Sequence, residues 1–299
     1  MEQIKSILAT TDFSETSANA AQRAAIVSRT LDAKCTIANV ISRGTLNALH
    51  DLMAPDSSDE LEHVLVDDAL EKLHKLAAGL KSEYGVEAAV SVSAGSVLRQ
   101  IAQQAESQGA SLIVMGAHGS GFVRDLLIGS TTDRVLRKTD RPMLVVRKKP
   151  AGDYQRVLVP VDFSERSGAA IALAHVVAPK AELVLMHAYQ VPYEGHLRMA
   201  GVAESKMVEL RQSAKDEAAR QLEEFVAGIG VSGASIRPLL VQGQAASAIV
   251  EQAAKLECDL IAIGKQGLRM IEELVLGSVT RQVLEQAPCD VLVADRKRH

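Results

Sequence analysis

The stretch ILATTDFSETSANAA at residues 7–21 recurs later in the chain as VLVPVDFSERSGAAI at residues 157–171. A second stretch, IVMGAHGSGFVRDLLIGSTTDRVLRKTDRPMLVV at residues 113–146, recurs as IAIGKQGLRMIEELVLGSVTRQVLEQAPCDVLVA at residues 261–294. Self-similarity at two places in the same order indicates two copies of one domain rather than a solenoid of short repeats.

The length of the chain agrees with this duplication. The chain has 299 residues, and a globular domain holds roughly 100–200 residues. We therefore expect a first domain at residues 1–149 and a second domain at residues 153–299.

Each copy alternates short apolar runs with segments of helical period. In the first copy the runs IKSILA, CTIANVI, VEAAVSVS, ASLIVMG and PMLVVR are separated by stretches such as TSANAAQRAAIVSRTL and SVLRQIAQQAES. Apolar strands that alternate with helices indicate a parallel sheet covered on both faces. We predict an α/β fold of two tandem doubly wound domains, each with a five-stranded parallel sheet flanked by helices. The second copy should contain a long helix over roughly residues 201–228.

The composition excludes several classes of protein. Lys and Arg number 33 and Asp and Glu 37, so the formal net charge is −4, which argues against a broadly basic protein that coats nucleic acid. The chain has no Trp and only 3% aromatic residues, so base-stacking platforms are not expected either. No nucleic-acid partner is predicted.

The cysteines and the hydropathy pattern bear on the compartment. Cys35, Cys258 and Cys289 are widely spaced and form no C-x-x-C motif, so neither a disulfide framework nor a zinc site is expected. The histidines also lack metal-ligand spacing, so no metal site is predicted. Without an apolar leader or a long apolar run, we expect a cytoplasmic protein with no membrane insertion.

The candidate site follows from the topology. Open α/β sheets bind ligands beyond the carboxyl ends of the strands where the strand order reverses. This rule points to the loops after the first and fourth strands, which are also the loops that the two copies share most closely. The first loop reads TTDFS and PVDFS, and the second has the pattern G-x2-G-x9-G-S in both copies: Gly116, Gly119, Gly129 and Ser130, then Gly264, Gly267, Gly277 and Ser278.

These residue types suit a nucleotide. Glycines can adopt positive φ and let backbone N–H groups approach an anion, so Gly116 and Gly119 could form a phosphate cradle. The helix that follows Gly129 offers unsatisfied N–H groups and the positive end of its dipole to a phosphate. Asp12 and Asp162, at the tips of the first strands, suit hydrogen bonds from ribose hydroxyls or an adenine amine.

Simpler interpretations exist for each feature. Ser130 and Ser278 could be ordinary helix N-caps, and the glycines ordinary turn residues. Asp12 and Asp162 could serve only to hold their turns through side-chain-to-backbone bonds. His118 could contact phosphate, but Gln266 replaces it in the second copy, and Lys265 could pair with phosphate or simply be solvated.

At these motifs the chain resembles the universal stress protein family, and in particular its tandem members with two domains in one chain. The resemblance covers nearly the whole chain. It implies an adenine nucleotide alpha hydrolase-like fold, and the full G-x2-G-x9-G-[ST] pattern is the mark of the ATP-binding branch of that family. Thr10 stands in the first copy where the family often has a proline, which the second copy keeps as Pro160.

Together, the motifs and the resemblance nominate two sets of cofactor-binding residues. In the first copy these are Asp12, Val40, Met115, Gly116, His118, Gly119, Gly129, Ser130 and Thr131. In the second copy they are Pro160, Val161, Asp162, Ala188, Ile263, Gly264, Lys265, Gly267, Gly277, Ser278 and Val279.

The resemblance also implies a cofactor and an arrangement of the domains. The cofactor is ATP, with or without Mg, at one or two sites per chain. Family members commonly dimerise through their last strands, here PMLVVR and CDVLVA, and a tandem chain could make that pair internally as a pseudo-dimer. The physics agrees, because an apolar edge strand otherwise invites association. Whether two such chains also associate as a homodimer is left open by the sequence.

Three functions remain in view. The leading one is a nucleotide-binding regulatory protein of the stress response, with no catalytic residues or with very slow chemistry. The second is weak ATP hydrolysis or autophosphorylation at Ser130 or Ser278, although the chain lacks G-x4-G-K-[ST] and clustered carboxylates for magnesium. The third is a pocket for another nucleotide-linked metabolite that uses the same phosphate loop.

Overall fold

The structure is a computed structural model that describes residues 3–52, 58–119, 128–231, 233–267 and 276–295. It divides into two units, which we call the first unit (Met1–Asp153 with Asp290–His299) and the second unit (Tyr154–Cys289). Residues 120–127 and 268–275, which hold most of the x9 part of each glycine motif, lie outside the described residues.

The first copy alternates strands and helices. Its elements are β1 (Ser6–Thr10), α1 (Glu15–Leu31), β2 (Lys34–Ser42), α2 (Arg43–Leu52), α3 (Ser58–Tyr84), β3 (Ala88–Gly95), α4 (Val97–Ser107), β4 (Leu112–Gly116), α5 (Ser130–Lys138) and β5 (Met143–Val146).

The second copy repeats this order. Its elements are β6 (Arg156–Pro160), α6 (Glu165–Val177), β7 (Glu182–Tyr189), α7 (Glu194–Met199), α8 (Glu204–Gly228), β8 (Ser235–Gln242), α9 (Ala245–Lys255), β9 (Leu260–Gly264), α10 (Ser278–Gln286) and β10 (Asp290–Ala294).

The sheet of the first unit has the order β3-β2-β1-β4-β5-β10. Its first five strands are parallel, and β10 pairs antiparallel with β5, with Val291 opposite Val145. The strand order reverses between β1 and β4, so the loops after these two strands lie side by side at one edge of the sheet. The predicted doubly wound α/β fold is confirmed.

The second unit has the strand order β9-β6-β7-β8, again all parallel. Its order reverses between β6 and β9, as it does between β1 and β4 in the first unit. The predicted long helix is confirmed as α8, Glu204–Gly228. The domain boundaries and the arrangement of the two domains as a pseudo-dimer stay predictions.

Helix α1 is built to lie close to the sheet of the first unit. Ser14 caps it by accepting a hydrogen bond from the Ser17 N–H, and Ser164 caps α6 in the same way through Ser167. The inner face of α1 carries small side chains: Ala20, Ala21, Ala24 and Ala25 are fully buried. Small residues on this face allow the helix backbone to approach β4 closely.

Helix α3 packs beside α1 and against β2 on the same face of the sheet. Leu73 and Leu80 of α3 pack with Ala21, Ala25 and Ile37 in one buried cluster. This packing determines which face of α3 is turned toward the candidate site. Among the helices that the structure describes, none is long and apolar enough to cross a membrane.

The buried cysteines lead to a first testable prediction. Cys35, Cys258 and Cys289 are buried, and burial raises the pKa of Cys35 and of Cys258 to about 11. Because the thiolate is the nucleophile, about one such thiol in a thousand is reactive at pH 8. We expect iodoacetamide to label Cys35 and Cys258 slowly in native protein and rapidly in urea, as followed by peptide mass spectrometry. Rapid labelling of the native protein would contradict this burial.

Candidate functional site

A cavity of about 690 Å³ opens at the switch point of the first unit. The carboxyl ends of β1, β2 and β4, the start of α5 and one face of α3 contribute to its wall. All the residues nominated in the first copy line it: Asp12, Val40, Met115, Gly116, His118, Gly119, Gly129, Ser130 and Thr131. The volume lies within the range of about 300–1,000 Å³ that is common for small-molecule sites.

The turn after β1 fixes Asp12. Its Oδ1 accepts hydrogen bonds from the Ser14 N–H at 3.1 Å and from the Ser14 hydroxyl at 2.5 Å. Phe13, between these residues, has φ of 64°, a left-handed conformation that is costly for a bulky side chain. Asp12 therefore does hold its turn, as the simpler interpretation proposed. The same side chain also lines the cavity.

The turn after β6 repeats this geometry. Phe163 also has φ of 64°. Oδ1 of Asp162 accepts hydrogen bonds from the Ser164 N–H and hydroxyl at 3.2 and 2.5 Å, and from the Ser167 hydroxyl at 2.7 Å. Both copies therefore hold the residue after the aspartate in the same left-handed conformation.

The glycines of the two loops allow neighbouring atoms to approach the loop backbone closely; they do not supply positive φ. None of Gly116, Gly119, Gly264 and Gly267 has positive φ, so that prediction is wrong. A Cβ at Gly116 would lie 3.0 Å from the backbone carbonyl of Thr16, and one at Gly119 would lie 2.7 Å from Asp12 Oδ2. In the second unit, a Cβ at Gly267 would lie 3.0 Å from Asp162 Oδ2. Each glycine loop therefore packs directly against the aspartate of its own copy.

No side chain among the described residues caps the start of α5. Its N-cap is Gly129, and Ser130 is the first helical residue. Gly277 and Ser278 hold the same positions in α10. The interpretation of the serines as N-caps is therefore wrong. Among the described residues, no capping side chain covers the N–H groups of the first turn at the cavity edge. Such a helix start is a ready site for an anion.

Three hydrogen bonds hold the glycine loop of the first unit, two from the start of α5 and one from α1. The Gly129 N–H donates to the Ala117 carbonyl at 2.7 Å, and the Thr132 hydroxyl donates to the Gly116 carbonyl at 2.9 Å. The Thr16 hydroxyl of α1 donates to the His118 carbonyl at 2.7 Å. These contacts hold the loop and the start of α5 in a fixed geometry.

The second glycine loop is fastened in the same way. The Gly277 N–H donates to the Lys265 carbonyl at 3.0 Å, and the Thr280 hydroxyl donates to the Gly264 carbonyl at 2.8 Å. Arg166 of α6 donates to the Gly267 carbonyl at 3.0 Å, in the position that Thr16 has in the first unit. The Lys265 side chain is buried, with 7% of the residue exposed, so its interpretation as a solvated loop lysine is wrong.

The remaining nominated residues of the second copy lie at the carboxyl ends of its strands. Pro160 ends β6 and Val161 follows it, Ala188 lies near the end of β7, and Ile263 lies near the end of β9. Val279 is the second residue of α10, where the first unit has the hydroxyl of Thr131. The second copy thus brings its set to the equivalent edge of its own sheet.

Sequence reasoning missed the residues that tie strand ends together. The Asn39 side-chain amide donates to the Thr11 carbonyl at 2.8 Å. In the second unit, His187 Nδ1 lies 2.9 Å from the Val161 carbonyl, so this nitrogen carries the proton. Asn39 and His187 occupy the same position in the two copies, but their different side chains hid the shared role.

The two sites differ in the aromatic residue after the aspartate. Phe13 is partly exposed at the cavity, and Lys72 Nζ lies 5.6 Å from the centre of its ring. Lys72 also pairs with Asp68 of α3 at 2.6 Å. Phe163 instead packs against the rings of His187 and Phe225, at centroid distances of 4.3 and 5.6 Å.

The fold and the site together define a class, namely open α/β sheets with a ligand cavity at the switch point of the strand order. A model of the universal stress protein family matches residues 3–147 and again residues 153–295. The chain therefore belongs to the universal stress protein family, as a tandem member with two domains.

Individual relatives agree with this family. A universal stress protein of Thermus aquaticus is 33% identical over 142 residues, which cover 47% of this chain and 98% of that protein. Universal stress protein MJ0577 of Methanocaldococcus jannaschii is 31% identical over 91 residues, or 30% of this chain and 56% of that protein. The crystal structure of a universal stress protein from Archaeoglobus fulgidus matches with a TM-score of 0.71 over 99% of this chain and 100% of that chain, at 21% identity. This last similarity concerns the fold.

Proposed function

We propose that the first unit binds ATP in the switch-point cavity and that the protein acts as a nucleotide-dependent regulator in the stress response. The observation that carries this proposal is the convergence of Asp12, the glycine loop and the uncapped start of α5 on one cavity of about 690 Å³. The sequence nominated these residues from separate loops, and a nucleotide needs them together.

The phosphates would lie at the start of α5. Backbone N–H groups of the first turn point to this end of the helix, and the helix dipole favours negative charge there. The hydroxyls of Ser130 and Thr131 are exposed and add two donors. Gly119 lets the loop backbone lie against Asp12, so one ligand can contact both.

The ribose or the adenine amine would donate to Asp12, whose Oδ1 is already oriented by Ser14. Val40 and Met115 provide apolar surface in the same cavity for the flat face of a base. In the second unit, Asp162, Gly267 and Gly277 repeat the frame, so we propose a second nucleotide site there.

A binding role agrees better with these residues than an enzymatic role. Phosphoryl transfer depends mainly on metal-assisted charge stabilisation and on a group that orients the nucleophile. The Asp12 carboxylate is committed to its turn through Oδ1, which limits it as a general base.

The first test is to denature freshly purified protein and to identify the released nucleotides by mass spectrometry, in moles per chain. Intact ATP near two per chain supports two binding sites, and ATP near one per chain supports a single working copy. ADP alone would favour hydrolysis. If no nucleotide is released and calorimetric titration with ATP gives no heat, the proposal fails.

A swap between the two copies gives a finer prediction. Thr131→Val gives the first site the residue that the second copy has at Val279. We expect ATP affinity of the first site to fall about threefold to tenfold, because a neutral hydrogen bond contributes about 0.5–1.5 kcal/mol. The reciprocal Val279→Thr should strengthen the second site. Equal affinities in titrations of both variants and the parent would exclude the Thr131 hydroxyl as a ligand contact.

A further inference from the structure

A second, smaller pocket of about 350 Å³ lies between α4 and α5 in the first unit. Ile101 lines both this pocket and the switch-point cavity, so the two are neighbours with one shared wall. None of the nominated nucleotide-binding residues lines the smaller pocket. Its lining is Ser96, Leu98, Arg99, Ile101, Ala102, Ile113, Val135, Lys138 and Thr139.

The pocket has an apolar floor and a cationic rim. Ile101, Ile113 and Val135 form the floor and are buried, whereas Arg99 and Lys138 are exposed at the rim. No carboxylate lines the pocket among the described residues. The rim therefore carries two positive charges over an apolar floor.

The two rim cations differ from the nearby arginines in their partners. Arg137 pairs with Asp133 at 2.9 Å, and Arg141 donates to the Ala110 carbonyl. Arg99 and Lys138 have no ion pair with any described carboxylate, so an anion seated in the pocket would meet two available donors. Ser96, the N-cap of α4, makes no capping bond with its side chain, and its hydroxyl adds a third donor.

The second copy lacks the two cations at the rim. Aligning Gly95 with Gly243 and Gly129 with Gly277 matches Arg99 with Ser247 and Lys138 with Gln286. The same alignment keeps the floor, with Ile249, Ile261 and Val283. The apolar floor is thus a property of the fold, whereas the cations belong to the first copy alone.

We propose that this pocket binds a small amphipathic organic anion, with an apolar body on the floor and a carboxylate between Arg99 and Lys138. The volume allows about twelve non-hydrogen atoms when each occupies about 30 Å³, the share of a water molecule in the liquid. Octanoate has this size and this chemistry. Neither the apolar body nor the carboxylate alone satisfies both parts of the pocket, so both are needed for binding.

Titration calorimetry with octanoate tests the proposal, with octanol and acetate as probes of the separate parts. We expect one octanoate per chain and much weaker binding of octanol and acetate. The double variant Arg99→Ser/Lys138→Gln, which carries the residues of the second copy, should bind octanoate at least tenfold more weakly. Lys180→Gln/Lys255→Gln removes two exposed cations of the second unit and should leave the affinity unchanged.

A variant that keeps both cations separates the pocket from general charge. Ala102→Phe places a ring in the pocket mouth and should abolish octanoate binding while the thermal midpoint stays near that of the parent. The proposal is overturned if octanoate does not bind at millimolar concentration or if octanol binds equally well. It is also overturned if both double variants bind octanoate alike, or if Ala102→Phe binds it as the parent does.

Discussion

Gly119→Ala is expected to lower the ATP affinity of the first site at least tenfold, a loss of at least about 1.4 kcal/mol. The new Cβ would lie 2.7 Å from Asp12 Oδ2, a distance that requires either the carboxylate or the loop to move. Asp12 is held by Ser14 at its other oxygen, so the loop and the start of α5 should separate from it. Calorimetric titration of nucleotide-free protein with ATP measures the effect.

Gly79→Ala is the matched control for this substitution. Gly79 lies in α3, and a Cβ there meets nothing within 4 Å. Because alanine is the better helix former by roughly 1 kcal/mol, this variant should be slightly more stable and bind ATP normally. Parent-like ATP affinity in Gly119→Ala would show that the contact between Gly119 and Asp12 does not shape the site.

A double-mutant cycle identifies the physical cause. If the clash with the carboxylate is what harms binding, Asp12→Ala and Gly119→Ala should be strongly non-additive, because removing Asp12 also removes the obstacle. Additive losses would instead place the effect of Gly119 elsewhere in the loop. Gly267→Ala, whose Cβ would lie 3.0 Å from Asp162 Oδ2, applies the same test to the second site.

The parts of the fold that could be predicted from sequence are those with local or repeated signals. Alternation of apolar runs and helical periods defined the strands, and the duplicated DFS and glycine motifs identified the loops at the switch point. These loops carry their information in residues that are neighbours in sequence. The structure accordingly brings the nominated residues of the first copy into one cavity.

The reason for the glycines could not be obtained in this way. Positive φ is a local property that sequence reasoning can propose, but close approach depends on which distant side chain packs against the loop. Gly116 meets the Thr16 backbone and Gly119 meets Asp12, and both contacts exist only after α1 and the loop pack at the same edge. Asp68 and Lys72 of α3 also line the cavity, and this contact likewise depends on how distant parts of the chain pack.

A buried ion pair is the clearest feature that the sequence concealed. Arg23 lies within an alanine-rich face of α1, and Asp290 begins β10 at the other end of the chain. Their side chains are 6% and 3% exposed, with Arg23 Nε 3.3 Å from Asp290 Oδ2. The surroundings of each residue in sequence predict a solvated charge or a strand start, and only the pairing of β10 with β5 brings them together.

Arg23→Met is expected to destabilise the first unit by about 3–5 kcal/mol, because it leaves the buried carboxylate of Asp290 without its guanidinium. It also removes the hydrogen bond from Arg23 to the Gly152 carbonyl at 2.7 Å. Unfolding in guanidinium chloride, followed by circular dichroism, measures the loss. Hydrogen exchange of the amides in β5 and β10 shows whether it falls on this strand pair.

Arg29→Met is the matched control. Arg29 lies on the same helix as Arg23, but its ion pair with Asp153 is well exposed, with side chains 50% and 39% exposed. An exposed pair contributes at most about 1 kcal/mol, so this variant should unfold nearly as the parent does. If Arg23→Met lowers the free energy of unfolding no more than Arg29→Met does, burial of the ion pair has no energetic consequence and this prediction is wrong.

Adding Asp290→Asn to Arg23→Met should recover much of the lost stability. The amide removes the buried charge but keeps a carbonyl oxygen for the Arg147 N–H, which donates to Asp290 Oδ1 at 2.8 Å. Asp290→Leu in the same background should recover less, because it leaves that half-buried N–H without its acceptor, at a cost of up to about 1–3 kcal/mol. Recovery with Asn but not with Leu would show that Asp290 has two separable roles: it balances the charge of Arg23, and it accepts the backbone of the segment after β5.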